Sequence, residues 1–206
     1  MQVVENLTKS FELPTIPFLG RPIPVKVQRT PLLADRVYEQ DGILTLWIPQ
    51  AVKAVELAGR ARDLAVRWLR GQAGRLFPER VARMNAYFGF QIGAISIKDA
   101  RSRWGSCSVR RNLNFNWRII MAPLAVVDYL VVHELSHLKE MNHSARFWQT
   151  VASACPDYRS HEVWLKTCGP NLLRWGRADS GFLDTPPRAL YNEPASTSPI
   201  RNFGRP

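Results

Sequence analysis

Between Pro123 and Leu138 the chain reads Pro-Leu-Ala-Val-Val-Asp-Tyr-Leu-Val-Val-His-Glu-Leu-Ser-His-Leu. Leu124, Val127, Leu130, Val131, Leu135 and Leu138 recur at helical spacing, and Pro123 suits the first turn of a helix. Such a helix is apolar nearly all round, which belongs in a core, yet it carries His133, Glu134 and His137. Burying two imidazoles and a carboxylate is costly unless a metal ion or hydrogen bonds compensate them. Any fold open to this chain must resolve that conflict.

Residues four apart on a helix share a face, so His133 and His137 can converge on one ion. Glu134 lies about 100° further round, outside the ligand set and near a water on the metal, which is the position of a general base. The chain has four histidines, and His133, His137 and His143 fall within eleven residues. Met141-Asn142-His143 follows where the helix should end, and Asn tolerates the left-handed conformation that turns a chain back. His143 can then complete three protein ligands and leave a fourth position for water. Glu162, or its neighbour His161, arriving from a later helix is the alternative third ligand. Three neutral imidazoles suit zinc, although the same donors accept other first-row metals. In HExxHxxGxxH proteases a glycine shapes this turn; Glu140 stands there, so the turn must differ.

The rest of the chain predicts a mixture of strands and helices. Val25–Arg29 and Ile43–Ile48 alternate, and Asp41-Gly42 is a two-residue hairpin signal, so a short antiparallel sheet is expected. Helical periodicity follows from Gln50 to Gly71 and again from Pro78 to Phe88, ended by Gly89. Strands are expected over residues 91–98 and 112–121, joined by the polar loop Arg101–Ser108, and short helices over residues 144–154 and 158–166. Residues 1–24, with four prolines, read as an extended lead-in; 25–175 form the domain; 176–206, proline-rich without apolar period, read as a flexible tail. Asp128 is assigned to the exposed face of its helix, and Asn142, Phe147 and Trp148 to holding the His143 turn.

Twenty-eight Lys and Arg against seventeen Asp and Glu give a net charge of +11, most of it in residues 60–83 and 98–118. That excess suits anionic partners, and nonspecific binding of nucleic acid or nucleotides is one expectation. The longest apolar run is far below the ~20 residues a membrane-spanning helix needs. Met1–Lys9 has no basic start followed by an apolar core, and three cysteines without CxxC spacing suit reduced thiols. A cytoplasmic location is expected.

The run from His133 to Trp148, together with Arg101-Ser-Arg-Trp-Gly-Ser-Cys107 upstream, resembles the YgjP-like metallopeptidase family, relatives of the SprT-like and WLM proteases. The resemblance covers about Val25 to Trp175. It implies a small α+β zincin-like domain with an antiparallel sheet over the HExxH helix. It further implies zinc on His133, His137 and His143, with Glu134 as catalytic acid/base. The expected activity is zinc-dependent hydrolysis of peptide bonds in a peptide or protein substrate. Arg103, Tyr158 and His161 are candidates for stabilising the oxyanion. The segment around Trp104-Gly105-Ser106 is a candidate to pair with an extended peptide. A metal-dependent nucleotide phosphohydrolase, or a basic nucleic-acid-associated module with a zinc site, are the rival readings.

Overall fold

The computed structural model describes residues 11–177 and Tyr191, with side chains from Thr15 onwards. The expected tail lies outside the described residues apart from Gly176, Arg177 and Tyr191. Strands β1 (Phe11–Phe18), β2 (Arg21–Thr30), β3 (Arg36–Gln40) and β4 (Ile43–Pro49) form a sheet in the order β1-β2-β4-β3. A helix α1 (Ala54–Phe88) follows, and then β5 (Ile95–Lys98), β6 (Gly105–Cys107) and β7 (Leu113–Asn116) make a second sheet ordered β5-β7-β6. A 3-10 turn (Trp117–Met121) leads into α2 (Leu124–Ser136), α3 (Ala145–Ala154) and α4 (Tyr158–Arg174).

The architecture is α+β, and its sheets are mixed where antiparallel pairing was expected: β2 runs parallel to β4, and β5 to β7. Asp41 and Gly42 do form the β3–β4 turn, both with positive φ, as a two-residue hairpin loop of the primed type requires. A second tight turn, Leu19-Gly20, joins β1 to β2. The proline-rich stretch read as a lead-in therefore supplies β1 and the start of β2. Its prolines are tolerated because Pro14 and Pro17 sit in an edge strand, and Pro22 and Pro24 precede Val25, where pairing with β4 begins.

One 35-residue helix, about 50 Å long, replaces the two expected over residues 50–88. Ala61, Leu64, Ala65, Leu69, Ala73, Phe77, Val81 and Met84 form a continuous buried stripe through Gly71, Gly74 and Pro78. Continuous burial outweighs the backbone bond that Pro78 cannot donate. Phe77 stacks on Phe115 of β7, centroids 4.4 Å apart, so α1 lies against the second sheet. Gly89 ends the helix in the left-handed conformation, its N–H donating to Asn85 O at 2.7 Å.

Helix α2 sits inside, with Val126, Val127, Val131, Val132 and Leu135 fully buried. Asp128 is buried as well, contrary to the expectation of an exposed face, because the Arg80 side chain of α1 makes a two-pronged ion pair with it. A sequence separation of 48 residues hides that partner. Strand β6 is shorter than a periodic signal needs and arises within the expected loop, while the expected strand at 112–121 stops at Asn116 and coils into the 3-10 turn. Helix α4 runs on from the expected end to Arg174, through Pro170. Among the described residues, no helix is long and apolar enough to cross a membrane.

Candidate metal centre

Helix α2 ends on its second histidine: His137 is the C-cap, with φ −64 and ψ −20. The chain then tightens, Lys139 and Glu140 both donating their N–H to Ser136 O, and turns so that the Glu140 carbonyl meets the His137 ring. His137 Nδ1 lies 3.1 Å from that oxygen. A carbonyl can only accept, so Nδ1 carries the proton and Nε2 keeps its lone pair free. Asn142 Oδ1 accepts from Ser144 N, and Ser144 Oγ accepts from Phe147 N as the N-cap of α3. Those two bonds set His143 at the junction.

The structure brings His133, His137 and His143 together, with possible ligand nitrogens all within 4.8 Å of one another. Nε2 of His143 and Nε2 of His133 are 3.1 Å apart. Tetrahedral zinc with ordinary Zn–N bonds separates its nitrogens by roughly 3.3–3.4 Å, so the cluster is sized for such an ion. Burial first, and then the neighbouring imidazoles, push the His133 pKa down to about 3. Burial likewise lowers that of His137. Both rings are thus neutral donors, the form a metal requires. One shared proton can bridge a pair of such nitrogens but not three, whereas a cation satisfies all of them. The donor set therefore fits a metal.

Phe147 braces the cluster, its ring centroid 4.5–4.9 Å from those of the three histidines. Trp148 stacks on His143 and Tyr158 on Trp148, so the aromatic support expected from Phe147 and Trp148 is present. Of the alternative third ligands, Glu162 opens on the same cleft but pairs with Lys166 at 2.7 Å. His161 is buried beside Tyr129, with no hydrogen-bond partner on either ring nitrogen.

Glu134 is 3% exposed and its Oε2 is buried without a partner. Burial pushes its pKa up to about 8. Its carboxyl presses on Gly105 of β6: a Cβ built on that glycine would lie 2.4 Å from Glu134 Oε1. Glycine at position 105 is thus dictated by a residue 29 positions later, which ties the upstream segment to the HExxH helix.

A cleft of about 480 Å³ lies over these groups, walled by Trp104, Gly105, Tyr129, Trp148 and Leu165. Of the expected oxyanion donors, His161 is buried behind Tyr129, Tyr158 is engaged by Trp148 and Arg159, and Arg103 lines a neighbouring pocket. Tyr129 is the residue the sequence reading passed over. It stands four before His133, hence on the same helix face, and that spacing was its only signal. None of the three cysteines is in a disulfide.

A helix delivers two imidazoles and a buried carboxylate to an open cleft, with a third imidazole folded back from the turn behind it, an arrangement that suits a metal-dependent hydrolase. A family model described as YgjP-like, metallopeptidase domain, matches residues 3–168, and the chain belongs to that family. The match takes in β1 and the β1–β2 turn. Among solved structures, the crystal structure of the metallopeptidase zymogen of Pyrococcus abyssi abylysin is similar over 45% of this chain and 95% of that one, at 17% identity and a TM-score of 0.39. No curated protein matches the chain.

Proposed function

We propose that this metallopeptidase is zinc-dependent, with His133, His137 and His143 as ligands through their free ring nitrogens and Glu134 as general base. The observation that carries the reading is the Glu134 carboxyl, buried, unpartnered at Oε2 and pressed on Gly105 of strand β6, at the cleft that His133 and His143 also line. Zinc held there supplies Lewis acidity, polarising a carbonyl and acidifying a water.

The chain's own groups account for the rest. Strand β6 is the edge of its sheet. Asn116 N donates to Trp104 O, and antiparallel ladders alternate, so the peptide groups of Ser106 face β7 while those of Gly105 and Cys107 face the open edge. An extended substrate adds there as a further strand, which lays its backbone across the cleft. Burial raises the Glu134 pKa to about 8, and a cation on the three histidines would favour its ionised form against that. In that form Glu134 accepts the proton of the attacking water at its free oxygen and passes it to the departing amine nitrogen. Three cysteines outside any disulfide suit a reducing compartment, and we place the enzyme in the cytoplasm, acting on polypeptides.

The test pairs elemental analysis with turnover on an unfolded protein and on nucleoside triphosphates. Glu134→Gln should keep about one zinc per chain while turnover falls by about 10²–10⁴. His143→Ala should lose the zinc. Undiminished turnover in Glu134→Gln removes Glu134 from the mechanism, and zinc retained by His143→Ala moves the third ligand to Glu162 or His161. Zinc-dependent cleavage of the triphosphates alone refutes the peptide reading.

A further inference from the structure

Strand β6 separates two cavities. Gly105 and Trp104 border both the cleft over the histidines and a second pocket of about 340 Å³. Ser106 borders only the second pocket, with Asn114 opposite it across the ladder. Side chains alternate along a strand, so Gly105 faces Glu134 and Ser106 faces the other side of the sheet. A peptide added to the β6 edge follows the same alternation. Where one of its side chains packs over Gly105 on the histidine side, the next one, opposite Ser106, enters the second pocket.

That pocket is electropositive. Lys98 and Arg103 line it, both exposed, and neither has an ion-pair partner among the described residues. Its single carboxylate, Asp99, is already engaged by Arg118 and Arg70. The lining thus holds two cations without an ion-pair partner among the described residues, beside a carboxylate already neutralised from outside it. The floor is polar, Asn114 Nδ2 donating to Ser106 Oγ at 3.2 Å. The loop carrying Arg103 is pinned, because Asn116 Nδ2 donates to the carbonyls of Ala100, at 2.8 Å, and Arg103, at 3.2 Å.

We infer that this pocket is a specificity subsite for an acidic side chain of the substrate, held by Arg103 and Lys98, at the position opposite Ser106. The inference rests on the peptidase reading above and names the substrate class of that same site. An arginine matches a carboxylate with two parallel donors, whereas a lysine offers a point charge, so Arg103 gives orientation and Lys98 adds attraction.

The experiment uses the zinc-loaded full chain and peptides that differ at one scanned position by Glu, Gln or Lys. At the position opposite Ser106, the Glu peptide should show a KM about fivefold below its Gln counterpart, with kcat little changed, as a partly exposed ion pair allows. Arg103→Glu should invert the order in favour of Lys. Binding of the same labelled peptides to Glu134→Gln protein, followed by fluorescence anisotropy, separates this inference from the peptidase reading. Preference for Glu over Lys there, lost in Arg103→Glu, supports the subsite even if the wild type cleaves none of the peptides. Peptides cleaved without charge discrimination at any position overturn the subsite and leave the peptidase standing. Tighter binding of a short single-stranded DNA than of the Glu peptide, through Arg103 and Lys98, also overturns it.

Discussion

Gly105→Ala isolates the contact between strand β6 and Glu134. Gly105 has no positive φ, so alanine meets no backbone strain and the effect is steric alone. The new methyl would lie 2.4, 2.7 and 2.8 Å from Oε1, Cδ and Cγ of Glu134, whereas ordinary contact begins at 3.4 Å. The carboxyl must retreat by about 1 Å, and a misplacement of that size costs on the order of 10²-fold in rate. Overpacking also takes about 1–3 kcal/mol of stability, which a folded chain of this length survives. The assay is kcat on an unfolded protein well below the melting temperature, with zinc content measured alongside. Turnover should fall about 10²-fold with zinc retained. In a Glu134→Gln background the same substitution should add little further loss, because the group it displaces is no longer a base. A Gly105→Ala enzyme with full zinc and kcat within about threefold of wild type would refute the placement of Glu134 against β6.

Two further predictions concern the ion pairs that hold the frame. Asp128→Ala strands Arg80 in the core and should cost about 3–5 kcal/mol in denaturant unfolding, while replacing both by apolar residues of similar size recovers most of that; a loss below about 1 kcal/mol contradicts the buried pair. At Asp99 burial pulls the pKa up, but Arg118 and Arg70 outweigh it and hold the carboxyl below its ordinary 3.8. A depressed folded pKa gives stability that is present above the unfolded value and lost as pH falls through the folded one. Wild type should therefore exceed Asp99→Asn by about 1 kcal/mol at neutral pH, discounted for the exposure of Asp99, and the two should converge well below pH 3.8. A gap as large at about pH 2 as at pH 7 would count against that linkage.

What the sequence discloses follows from the range of each interaction. The cluster of His133, His137 and His143 is legible because helical spacing and one turn bring the three together, and Asp41-Gly42 because a tight turn is chemically local. The Arg80–Asp128 pair is not, since nothing near Asp128 announces a partner on another helix. Parallel pairing of β2 with β4 is equally silent: alternation reports a buried face and never the neighbour. Three residues of β6 carry no period, so the edge beside the cleft reads as loop. The prolines of β1 mislead because they argue against a central strand, and an edge strand satisfies the same chemistry. Even Gly105, visible in the sequence, has no meaning until Glu134 arrives beside it.

The Leu19-Gly20 turn has a consequence for the order of events during synthesis. Leu19 N donates to Ile120 O at 2.8 Å and Gly20 N to Met121 O at 3.3 Å, and Gly20 rests so closely on Pro123 that a Cβ there would lie 2.9 Å from its Cα. The tip of the first hairpin thus grips the residues from which α2 departs. The hairpin leaves the ribosome on the order of ten seconds before that helix does, at ordinary elongation rates. Until then it has neither its docking partner nor most of the core. The tip of that hairpin therefore waits for the middle of the chain before it can close, and the start of α2 is clamped from the moment it does.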